Sequence, residues 1–125
     1  MREALQDGAK VLIVDDEPLL LMVVAETLRD AGFTVWEASS SASAISILKE
    51  HSDIDLLISD IKMPGMNGYQ VVDLGLTIRP KLKILLMTGY AQEPMPKTAN
   101  YTGVQVLHKP FDFNALPDLV RHILQ

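Results

Sequence analysis

Along this chain, short unbroken apolar runs alternate with longer stretches in which apolar residues recur every three or four positions. Residues 11–14 are apolar throughout and stop at Asp15, the pattern of a strand buried on both faces. Within residues 18–31, Leu20, Val23, Val24, Thr27 and Leu28 keep helical spacing; Pro18 suits a first helical turn and Gly32 a stop. The alternation then predicts strand at 34–38, helix at 41–50, strand at 56–59, helix at 69–78 and strand at 83–87, with Pro80 marking the last helix stop. Residues 104–108 read as a fifth strand and 115–124 as a closing helix, while Pro94 and Pro96 weaken any helix between the fourth and fifth strands. The serines at 39–43 read as a loop and a helix cap.

Five short apolar strands joined by helical connections predict a parallel sheet, because parallel neighbours need long crossovers and right-handed crossovers cover both faces. The expected fold class is an open α/β sandwich with a doubly wound five-stranded sheet, preceded by a tail over residues 1–9 and occupying residues 10–125 as one domain. A chain of 125 residues buries roughly 65–70% of its unfolded surface, enough for one core without metal or disulfide staples. In such sheets, sites form beyond the carboxyl ends of the strands. The residues that follow the predicted strands are Asp15 and Asp16 with Glu17 next, then Asp60, then Thr88 with Gly89, then Lys109 with Pro110.

Charge and composition narrow the function. Eleven Lys and Arg against sixteen Asp and Glu leave a net charge of −5, which a nucleic-acid backbone would repel. With no cysteine there is no disulfide framework, thiol nucleophile or cysteine-based metal site, and a cytoplasmic setting is expected. The first ten residues mix both charge signs and lack a signal-peptide core, and no apolar run approaches the roughly 18 residues of a membrane span.

Carboxylates crowded on one rim repel one another and raise some pKa values unless a cation lies among them. A hard divalent ion with oxygen ligands suits that rim, and Mg²⁺ is the expected one, since it keeps several waters and accepts phosphate oxygens. Lys109 adds a positive charge and Thr88 a hydroxyl donor for a phosphoryl oxygen, which together point to phosphoryl transfer. Asp60 ends a buried apolar run, so its charge needs a partner, and Lys109 is the available one. Neither a G-x-x-x-x-G-K-[ST] loop nor a G-x-G-x-x-G turn nor a G-x-S-x-G elbow occurs, and His51, His108 and His122 fall in no metal-ligand pattern.

Asp15-Asp16, Asp60 with Met63-Pro64-Gly65 and Asn67-Gly68, Thr88-Gly89, and Lys109-Pro110-Phe111 together resemble the receiver domain of bacterial two-component response regulators, from about residue 10 to the C-terminus. The resemblance implies a flavodoxin-like (βα)5 fold with strand order 2-1-3-4-5, in which a histidine kinase or histidine phosphotransfer protein donates a phosphoryl group to Asp60. It implies that Asp16 binds Mg²⁺ directly and Asp15 chiefly through water, with Asp60 among the metal residues and the Lys62 carbonyl completing the set. Thr88 and Lys109 would then hold phosphoryl oxygens, Gly65 and Gly68 would turn the loop after Asp60, and a cis bond before Pro110 would fix Lys109.

One departure is Val106, where receivers commonly carry a Tyr or Phe that rearranges with the Thr hydroxyl; Tyr90 or Tyr101 is expected to substitute. Lys62 and Tyr90 stand at positions that tune hydrolysis of the acyl phosphate and are expected to slow it. Output is expected through a downstream protein partner, as monomer or phosphorylation-dependent dimer, with Met95, Val106 and Phe113 as contact candidates and with no direct nucleic-acid or membrane contact. Two other readings compete: a pseudo-receiver that binds its partner constitutively, and a Mg²⁺-dependent phosphatase. The second would want an acid two residues after Asp60, where Lys62 stands.

Overall fold

A computed structural model describes residues 8–89, 99–101 and 103–125. Its elements run β1 (Lys10–Val14), α1 (Pro18–Asp30), β2 (Thr34–Ala38), α2 (Ser41–Glu50), β3 (Leu56–Asp60), α3 (Gly68–Ile78), β4 (Lys83–Thr88), β5 (Gln105–His108) and α4 (Leu116–Leu124), with short 3-10 turns at Ala99–Tyr101 and Phe113–Ala115. The five strands are all parallel, in the order β2-β1-β3-β4-β5. The segment over residues 90–98, with Pro94, Met95, Pro96 and Tyr90, lies outside the described residues.

Strand alternation divides the core in two. Val11 and Ile13 of β1, Leu56 and Ile58 of β3, and Leu85 and Met87 of β4 face α1 and α4, where Leu21, Val24, Ala25, Leu28, Leu116 and Val120 meet them. Leu12, Val14, Leu57 and Leu86 face the other way, onto Ala44 and Leu48 of α2 and Val71 and Val72 of α3. Burial on both faces is why the strands read as continuous apolar runs.

The helix starts are locally specified. Pro18 occupies the first turn of α1, the Ser40 hydroxyl accepts from the Ser43 amide at 3.2 Å, and Asn67 and Gln70 form a reciprocal capping box at the start of α3. The buried Ser41 hydroxyl donates to the Met66 carbonyl at 2.6 Å and ties α2 to the loop that follows β3.

The strands run one residue further than the apolar runs suggest at the two places that matter for chemistry. Asp60 pairs with Met87, the Ile61 amide donates to the Met87 carbonyl at 3.0 Å, and Thr88 pairs with His108. Asp60 and Thr88 are therefore the last residues of β3 and β4, held by the ladder and not by a loop. Among the described residues no helix is long and apolar enough to cross a membrane.

The two glycines after β3 serve different ends. Gly65 has φ +77°, the left-handed turn expected of it. Gly68 does not share that conformation; it is needed for close approach, because a Cβ there would collide with the Asp60 carbonyl oxygen and lie 2.8 Å from Ile61 Cα. Gly68→Ala is expected to lower stability by about 2–3 kcal/mol, read as a lower denaturation midpoint at unchanged m-value.

Candidate functional site

The carboxyl ends of β1, β3, β4 and β5 converge on one cleft of about 470 Å³, lined by Asp16, Glu17, Asp60, Lys62, Gly89 and Lys109. Asp15 leaves β1 fully buried; its Oδ1 accepts from the Glu17 amide at 2.9 Å and its Oδ2 from Lys109 Nζ at 3.1 Å. Asp60 Oδ2 lies 3.4 Å from the same Nζ, and Glu17 Oε1 3.6 Å. Lys109 is held from behind by its amide, which donates to the Thr88 carbonyl at 2.8 Å, and the Lys109-Pro110 bond is cis. Thr88 is buried at the end of β4, and Lys62 is exposed on the cleft wall. Beyond Lys109 the cleft gives onto an apolar hollow lined by Leu20, Pro110, Phe111 and Phe113.

Oxygen atoms of Asp15, Asp16 and Asp60 lie within 4.8 Å of one another. Oxygens that close can share one hard cation, directly or through its waters. Burial pushes the Asp60 carboxyl above its ordinary 3.8; the charge on Lys109 opposes this and that on Asp15 adds to it. Burial alone would lower the Lys109 ammonium, but its hydrogen bond to Asp15 and the charges of Asp15, Asp60 and Glu17 outweigh that and hold it above 10.5. The arrangement is an electron-rich cleft with one ammonium at its centre.

The structure thus brings together Asp15, Asp16, Asp60, Lys62, Thr88 and Lys109. It adds Glu17, whose carboxylate joins the Lys109 cluster while its backbone caps α1. The only sequence signal for Glu17 is its place directly after the Asp pair. Val106 is half-buried in β5 and Phe113 half-buried against the α1 side of the core. Tyr101 is buried, and its hydroxyl lies 2.9 Å from both the Tyr69 carbonyl and Asp73 Oδ1, sharing one proton between them, so it anchors the segment before β5 to α3. Its ring meets Tyr69 edge-on at 5.4 Å, and burial together with Asp73 pushes the phenol well above its ordinary value.

The family profile described as the response regulator receiver domain matches residues 11–121. The chain is 39% identical over 119 residues to the response regulator protein FleR of Pseudomonas aeruginosa, covering 94% of this chain and 25% of FleR, so it spans about a quarter of that relative's length. It is 30% identical over 117 residues to sporulation initiation phosphotransferase F of Bacillus subtilis, covering 92% of this chain and 93% of that protein. The solved structure of the response regulator protein TrrA from Thermotoga maritima, in complex with Mg²⁺ and BeF, superposes with a TM-score of 0.79 at 27% identity, over 93% of this chain and 99% of TrrA. The chain belongs to the response regulator receiver domain family, with its flavodoxin-like sheet.

The raised Asp60 pKa sets a pH dependence. The folded chain holds that proton more tightly than the unfolded chain, so ionising Asp60 lowers stability as pH rises from 3.8 through the raised value. Lys109 works in the same sense at higher pH: its contribution is full below 10.5 and is lost as pH rises through its raised folded pKa. With divalent ions chelated, Asp60→Asn is expected to melt higher than wild type at neutral pH, and the gap should close as pH falls below 3.8, measured by thermal unfolding across pH.

Proposed function

We propose that Asp60 accepts a phosphoryl group from a histidine kinase or a histidine phosphotransfer protein, and that the phosphorylated domain signals through altered contacts with a downstream protein. The observation that carries this reading is that Asp60 and Lys109 line one cleft with Asp16, the Asp60 carboxylate 3.4 Å from the Lys109 ammonium, while Lys109 also binds buried Asp15 and its amide the carbonyl of Thr88. In the transfer, an Asp60 oxygen forms the new O–P bond while the P–N bond to the donor histidine breaks. The electron pair leaves with the imidazole, which takes up a proton. Lys109 and the Thr88 hydroxyl hold phosphoryl oxygens and fix the line of attack, so most of the catalysis is positioning and charge.

The donor set fits a hard cation: it is all oxygen, and the three carboxylates are clustered. Asp16 and Asp60, with the Lys62 carbonyl and with Asp15 chiefly through water, would hold Mg²⁺. When bound, the ion supplies positive charge against the phosphoryl oxygens. Lys109 already neutralises part of the cluster's charge.

In this reading the receiver unit occupies residues 10–125 after a tail at 1–9, works in the cytoplasm as a signalling domain with no turnover chemistry beyond its own phosphoryl group, and acts as a monomer or a phosphorylation-dependent dimer. Its acidic charge argues against direct nucleic-acid contact.

Acetyl phosphate with Mg²⁺ should label wild type at one site, read by mass spectrometry, and Asp60→Ala should abolish the label. Thr88→Ala and Lys109→Ala should slow labelling by roughly tenfold to a hundredfold. An unlabelled wild type, with kinase tried as well, would favour the constitutive binding module. Lys62, a long cation on the cleft wall, obstructs attacking water, so Lys62→Ala should lose its acyl phosphate faster than wild type in a timed autodephosphorylation assay.

A further inference from the structure

The strands run parallel and the helices return against them, so α2 and α3 both end at the sheet edge remote from Asp60. Beside their last turns lies a hollow of about 480 Å³ with an apolar floor of Leu48, Ile78 and Pro80 and a rim of Lys49, Arg79 and Lys81. Three cations therefore gather at one hollow on a chain whose net charge is −5. None of the three forms an ion pair among the described residues.

Cations near helix C-termini complement the helix dipole, which accounts for Lys49 in the last turn of α2 and Arg79 at the cap of α3. It accounts neither for Lys81, beyond the helix, nor for the apolar floor. Arg79 also carries Nε, a buried donor without a hydrogen-bond partner among the described residues. Leaving a buried donor unmet is costly, and a carboxylate is the acceptor a guanidinium matches best. The floor continues outward, since Ile78 and Leu74, one turn apart on α3, are 37% and 42% exposed. A small anion would meet the charges and leave that strip uncovered; a peptide segment covers both.

We propose that this hollow docks an acidic segment of a partner protein. One apolar side chain of the segment fills the hollow over Leu48, Ile78 and Pro80, a second covers Leu74, and flanking carboxylates face Lys49, Arg79 and Lys81. The site lies at the edge opposite Asp60 and stands independently of the phosphoryl-acceptor reading: it is an attachment that persists whatever the state of Asp60.

The test is selection of a phage-displayed library of random peptides on the full chain, followed by calorimetric titration of the selected peptides. The expected result is enrichment of Asp and Glu around Leu, Phe or Trp. Binding should weaken about tenfold or more in the double variant Lys49→Glu, Lys81→Glu and in Ile78→Asp, and should be unchanged in Asp60→Asn. All three substituted positions are exposed, so these variants keep the core. The proposal is overturned by selection without acidic bias, by no selection at all, by equal binding to the double variant, or by amide shifts on binding that map to another face. Self-association of the chain that the double variant abolishes would also overturn it.

Discussion

The carboxylates at the head of this sheet stay buried because a single ammonium reaches them. Asp15 has no exposed surface and Asp60 almost none, and Lys109 lies within 3.4 Å of both. Losing that ammonium would leave buried carboxylates uncompensated, a loss that typically costs about 3–5 kcal/mol. Lys109 stands 94 residues from Asp15, so the pair closes only when β5 has joined β4, which itself must have joined β3 and β1. Completing the sheet and completing the site are one event.

The layout was open to reading because burial on both faces leaves strands with no polar alternation, and because the apolar runs of four of the five strands are followed by a carboxylate, a hydroxyl or an ammonium side chain. That is how Asp15, Asp60, Thr88 and Lys109 could be picked out before any geometry was known. What stayed hidden depends on distant parts of the chain meeting. Ladder pairing with Met87 draws Asp60 into its strand. Gly68 is required by the backbone it faces and not by its own dihedral angles. The clasp between Tyr101 and Asp73 joins residues 28 apart, and nothing local to either announces the other. The capping box of Asn67 and Gln70, by contrast, is a local pattern that marks the start of α3 at Gly68, one residue ahead of the apolar periodicity.

The molecule is electrically uneven from end to end. At the carboxyl edge of the sheet, acidic side chains crowd around Lys109; at the amino edge, Lys49, Arg79 and Lys81 stand without acidic partners among the described residues. In a parallel sheet with returning helices, strand ends and helix ends gather at opposite edges, so the two clusters lie far apart. One pole suits an incoming anionic group with its cation, the other a negatively charged surface, and the two need not compete for the same neighbour.

The contact behind Asp60 gives the strand end a mechanical asymmetry. Its carbonyl abuts Gly68 with no clearance for even a methyl group, and α3 is in turn fastened through Tyr69 and Asp73 to Tyr101. The backbone at the end of β3 is therefore closely packed on its α3 side. On the other flank, the tips of β4 and β5 are joined by the hydrogen bond that the Lys109 amide donates to the Thr88 carbonyl. The glycine is a spacer of zero width: it lets the first turn of α3 start directly against the back of the strand that carries Asp60.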